Sequence, residues 1–106
     1  MSRFSSYTTA ETRAMVEGYA ELKEAKSTSG FGLRILCQLA DLDRALQAMP
    51  PKEYKVVLLH GLLGYTVRNA EELLGISRPT LLDRYRKGIE FLTDQMNRAA
   101  DLLLPR

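Results

Sequence analysis

One hundred and six residues make room for one small domain, or one domain with a helical arm, and leave none for a two-domain enzyme. With 45% hydrophobic, 26% charged and only 8% aromatic residues, and no Trp, the chain should fold around a core of Leu, Ile, Val, Ala and Met. Fifteen basic residues against thirteen acidic give a net charge of +2, and the two signs balance over residues 1–49, so all of the excess falls after Pro50.

Thr8 followed by Glu11 fits a capping box and predicts a helix over residues 10–26, with Met15, Val16, Tyr19 and Leu22 as a modest apolar stripe. This segment reads as a helical arm. Ser27-Thr28-Ser29-Gly30-Phe31-Gly32 is a flexible break and the best domain boundary, giving an arm over 1–30 and a helical domain over 31–106. A second helix over residues 33–48 follows from Ile35, Leu39, Leu42, Leu46 and Met49, whose spacing is close to a heptad seam.

Pro50-Pro51 ends that helix and starts a third, which runs to about Leu63 before Gly64 offers a left-handed cap. Thr66 caps a short fourth helix, residues 67–74, and Gly75 ends it. Ser77 is the expected N-cap of a last helix, with Pro79 in its first turn. Leu81, Tyr85, Ile89, Leu92, Met96, Ala99 and Leu103 carry its seam to the C-terminus over about 37 Å, with Gly88 as its weak point. Its far end should therefore pack on another element or another subunit. With no alternating strand pattern, the fold class is all-α: a helix-turn-helix domain with an N-terminal helical arm and a long C-terminal helix.

A short helix, a glycine turn and a second helix opened by a hydroxyl residue form a helix-turn-helix over residues 66–88. Arg78 to Lys87 is the one concentrated positive segment, and the face opposite Leu81 and Tyr85 carries Pro79, Thr80, Asp83, Arg86 and Lys87. In the major groove Arg78, Thr80 and Asp83 are the base-edge candidates, because only the first turns of such a helix reach the bases. Arg86, Lys87 and the helix start at Ser77 suit phosphates, and Arg84, at the edge of the buried face, suits either.

Three segments resemble the promoter-reading C-terminal domain of bacterial sigma factors, region 4. They are Pro50-Pro51-Lys52-Glu53-Tyr54-Lys55-Val56-Val57-Leu58-Leu59, Gly64-Tyr65-Thr66, and Glu72-Leu73-Leu74-Gly75-Ile76-Ser77-Arg78-Pro79-Thr80-Leu81. The likeness covers residues 46–92. It implies a basic recognition helix that reads the minus-35 element, with Arg78, Thr80, Asp83, Arg84 and Lys87 on reading positions and Leu74, Ile76 and Leu81 on core positions. In one departure, Glu71 stands four before the turn glycine, where the family has a small residue, and Ala70 comes one earlier. The chain is too short for the polymerase-binding and promoter-melting modules of a complete sigma factor. Its arrangement is similar to small phage and mobile-element regulators, including late-gene activators and antitermination proteins.

Double-stranded DNA is thus the expected partner, with RNA polymerase as a second and a homodimer through the two seams as a third; an intramolecular core is the alternative use of those seams. A helical adaptor that binds RNA polymerase or another protein without a DNA site, and a DNA-packaging or recombination accessory protein, are the other readings. No phosphate-cradling glycine loop, nucleophile elbow or metal-ligand motif occurs, and Glu71-Glu72 point about 100° apart on a helix, so neither catalysis nor a cofactor is expected. His60 lacks partners for a metal site and should be a packing or surface residue. The apolar runs are far shorter than the roughly 20 residues of a membrane span, and the N-terminus lacks a secretory signal. The single Cys37, expected to be at least half-buried, excludes an intramolecular disulfide, so a cytoplasmic location is expected.

Overall fold

The computed structural model describes residues 7–28 and 33–103, with side chains over 7–24 and 37–98. Helix α1 (Thr9–Glu17) opens on the expected capping box: the Thr8 hydroxyl accepts from the Glu11 amide at 3.1 Å, and the Glu11 carboxylate accepts from the Thr8 amide at 2.9 Å. The single helix expected over residues 10–26 is two helices, because Gly18 ends α1 and α2 (Tyr19–Thr28) follows it. Glycine is a poor helix former, so the break falls where holding one continuous helix would gain least. α1 then packs on the last helix, while α2 packs on α3 (Leu33–Ala48), where the Tyr19 hydroxyl donates to Asp43 Oδ1 at 2.7 Å. Of the expected break at 27–32, Ser27 and Thr28 close α2, and 29–32 lie outside the described residues.

Pro50 precedes α4 (Pro51–Val56), which passes directly into a π-helical stretch, Val57–Leu62, where a continuous α-helix to Leu63 was expected. The wider turn sets Gly61 against Val16 of α1 and the Tyr85 ring, an approach that a Cβ at Gly61 would block. Gly64 then takes φ 75°, as expected of the cap. α5 (Val67–Leu74) and α6 (Arg78–Leu103, 26 residues) complete the chain, and the described residues contain no strand.

The core lies between α6 and the elements around it. Leu39, Leu42 and Leu46 of α3, Met49 just after it, and Leu81, Tyr85, Ile89, Leu92 and Met96 of α6 are buried with Val16, Val56, Val57 and Ala70. Over their described length both seams face this chain's own core, the intramolecular use of the two that the spacing allowed. The side chains of Ile35, Ala99 and Leu103 lie outside the described residues. The far part of α6 is covered by the N-terminal segment. Asn97 Oδ1 accepts from the Tyr7 amide at 2.7 Å, and the buried Thr93 hydroxyl donates to Thr12, which donates in turn to the Thr8 carbonyl.

Gly88, expected to be a weak point in α6, lies where that helix comes close to Glu53 and Val57. A Cβ there would stand 2.6 Å from Val57 Cγ2 and 3.5 Å from Glu53 Cβ. Cys37, by contrast, is exposed. It lies about 200° around α3 from the buried Leu39, which puts it on the solvent side of the seam.

Candidate nucleic-acid interface

The turn between α5 and α6 is built from local backbone chemistry. The Thr66 hydroxyl accepts from the Asn69 amide at 3.1 Å and opens α5. Gly75 closes it in the left-handed region at φ 66° and ψ 36°, which a side chain would strain. The Glu71 carbonyl accepts both the Gly75 amide at 2.8 Å and the Ile76 amide at 3.3 Å, so one residue anchors the whole turn. Ala70, one position before Glu71, is fully buried in the core.

Ser77 holds the N-cap position, its carbonyl accepting the Leu81 amide at 2.9 Å. Its hydroxyl does not cap a backbone amide, as sequence reasoning expected, but donates to Thr80 Oγ1 at 3.0 Å. Ser77, Arg78, Arg86 and Lys87 are exposed, and Thr80, Asp83 and Arg84 are half-buried.

The cations on this surface differ in their partners. Arg78 Nε donates to Glu71 Oε2 at 3.1 Å. Asp83 holds two cations, Arg86 on Oδ1 at 2.7 Å and Lys87 on Oδ2 at 3.2 Å, and Arg86 also reaches Glu90 at 3.0 Å. These neighbours, Arg86 first, keep the Asp83 carboxyl below the usual carboxylate range. Arg84 makes no ion pair among the described residues.

Thr80, Asp83, Arg84 and Lys87 line one open cleft of about 460 Å³ together with Pro79, Lys52 and Glu53. Ser77, Arg78 and Arg86 are not part of its lining. Lys52 is the residue that sequence reasoning missed. It lies in the first turn of α4, far from the basic segment in sequence, and joins the cleft because α4 packs on α6 at the Gly88 notch. No periodicity or motif signals that crossing.

His60 is neither isolated nor placed as a ligand: its Nδ1–H donates to the Tyr65 carbonyl at 2.8 Å, and its ring meets the Tyr85 ring edge-on at 4.9 Å. Among the described residues no group of three or more His, Cys, Asp or Glu could hold a metal ion. No helix among them is long and apolar enough to cross a membrane.

Two helices joined by a left-handed glycine, the second opening on an exposed basic face, define a helix-turn-helix of the DNA-reading type. Residues 39–90 match the family model described as Sigma-70, region 4, and this segment is a sigma region 4-like helix-turn-helix domain. The match starts within α3 and ends within α6, so it covers the turn, the basic segment and Lys52, and leaves α1 and α2 outside. No curated protein and no solved structure matches the chain at a significant level. Region 4 is a DNA-binding domain family tied to transcription and RNA polymerase.

Proposed function

We propose that this protein is a sequence-specific DNA-binding transcription regulator of the cytoplasm that lays the first turns of α6 in the major groove and acts with RNA polymerase at a promoter. The observation that carries the reading is the region 4 match over the segment whose α5–Gly75–α6 turn leaves Arg78, Arg86 and Lys87 exposed. Arg78 donates to guanine, Thr80 offers hydroxyl or methyl, and Asp83 accepts from cytosine. Arg86, Lys87, the Ser77 helix start and Lys52 of α4 meet phosphates on either side, and Arg84 reaches whichever lies nearer. Attraction between these cations and the phosphates supplies most of the affinity, so binding weakens with salt.

Two apolar side chains are left in water here, Leu73 of α5 at 62% and Leu82 of α6 at 45% exposure, and a protein partner such as polymerase would cover them. A protein adaptor that uses such residues without a DNA site is the competing reading.

Selection of the purified protein against random duplexes at two salt concentrations tests the proposal. Enrichment of a motif, lost on Arg78→Glu, is the expected result. Weak, steeply salt-dependent binding with no motif would overturn it and favour the adaptor.

A further inference from the structure

Glu71 is held twice at the turn. Its carbonyl accepts the Gly75 and Ile76 amides, which pins its backbone to the start of the reading helix. From that anchored position its carboxylate crosses the turn to Arg78 Nε at 3.1 Å. Arg86, Lys87 and Arg98 pair with Asp83, Glu90 and Asp94 of their own helix, so those pairs constrain nothing outside α6. Arg78 is, among the described residues, the one α6 cation with an ion pair to another element. An ion pair this exposed, at 61% for the Arg78 side chain and 26% for that of Glu71, adds little to stability. Its consequence is orientation. With Nε engaged, both terminal nitrogens of a planar and permanently charged fork remain free to donate, the arrangement that matches guanine O6 and N7.

We propose that Glu71 is a positioning residue that presents Arg78 to a guanine and thereby sets base preference at one step of the DNA site. The inference rests on the DNA-reading role proposed above. It carries an unusual signature, because Glu71 also places a negative charge near the phosphate backbone. Glu71 raises discrimination while lowering affinity for DNA in general, and its removal moves the two in opposite directions.

The test uses the full chain as wild type, Arg78→Ala, Glu71→Ala and Glu71→Gln. Selection with the wild type yields the motif, and Arg78→Ala identifies the base pair that Arg78 reads. Kd is then measured on the best duplex, on the duplex changed at that one base pair, and on an unrelated duplex at low salt. Glu71→Ala should lose about tenfold of the discrimination at that base pair, part of what one bidentate contact supplies, and should bind the unrelated duplex more tightly. Glu71→Gln should keep most of the discrimination, since its amide oxygen still accepts from Nε, and should also gain on the unrelated duplex. Glu71→Met, which keeps the stem and the helix propensity but not the acceptor, gives the same readout if alanine loosens the turn. Undiminished discrimination in the variants without an acceptor would overturn the positioning role and leave DNA reading standing. A wild type that enriches no motif would remove DNA reading and the positioning role together.

Discussion

The Tyr85 hydroxyl donates to Glu17 Oε2 at 2.9 Å and joins the helix that bears the basic face to α1 across 68 positions of sequence. Tyr85 is 5% exposed, and the Arg13 guanidinium sits 5.9 Å from its ring centroid. Burial, then the Glu17 carboxylate, hold the phenol well above its ordinary pKa. The N-terminal segment, which lies outside the region 4 match, thus braces the helix proposed to read DNA.

Tyr85→Phe should lower unfolding free energy by about 1 kcal/mol, the usual net worth of one hydrogen bond. Glu17→Gln should cost no more than that, and the two together less than their sum, because each removes part of one interaction. Urea denaturation of the four proteins measures the coupling. Strict additivity would show that the bond does not hold the segments together.

Gly88→Ala is a case in which local and tertiary physics give opposite signs. Helix propensity alone favours alanine by about 1 kcal/mol. The new Cβ would stand 2.6 Å from the branched Val57 side chain, which has little room to turn, so the variant should instead lose about 1–3 kcal/mol. Thermal melting decides between them, and a raised melting temperature would refute the close approach of α4 to α6.

Asp83 pairs with both Arg86 and Lys87 in the free protein, whereas Arg84 stands without an ion pair among the described residues. Asp83→Asn should therefore tighten binding to unrelated duplex and steepen its salt dependence. Arg84→Ala should weaken binding and reduce the log–log salt slope by about 1, the change for one lost phosphate contact. Titrations at several salt concentrations read both, and an unchanged slope for Arg84→Ala would show that this residue meets no phosphate.

Burial, and then the neighbouring Asp41 that accepts from its hydroxyl at 3.1 Å, push the Tyr7 phenol up to about 12 from an ordinary 10.0. A raised folded-state pKa means that the neutral phenol is favoured in the fold. Its contribution is complete below about pH 10 and is lost as pH rises from there through about 12. Tyr7→Phe should be less stable near neutrality and show a shallower alkaline decline across that window. Denaturation at a series of pH values checks it, and parallel curves for the two proteins would contradict it.

The features that sequence reasoning located well act within one turn of the chain. Thr8 and Glu11, Thr66, Gly64 and Gly75 bond or bend the backbone beside them, so α5 begins and ends where their chemistry places it, and the basic segment falls at the start of α6. The seams of α3 and α6 were equally legible as periodicity, but periodicity names a buried face without naming what buries it. Only the packing showed that they meet each other and Val16. Gly18 and Gly61 carried no decisive local signal, and they became a helix break and a contact with α1 only once α1 was drawn onto α6.

At the candidate interface the division is similar. Ser77, Arg78, Thr80, Asp83, Arg84, Arg86 and Lys87 follow from composition and helical phase, because residue type and a rotation of about 100° per residue are properties of one chain segment. Lys52 in the cleft, the pairing of Asp83 with two cations, and the reach of Glu71 to Arg78 are decided by which elements approach and which rotamers meet. Helix phase and capping are short-range effects that sequence spacing encodes directly. Ion pairing and close packing depend on distances of a few ångströms between elements, which exist only after the core has formed.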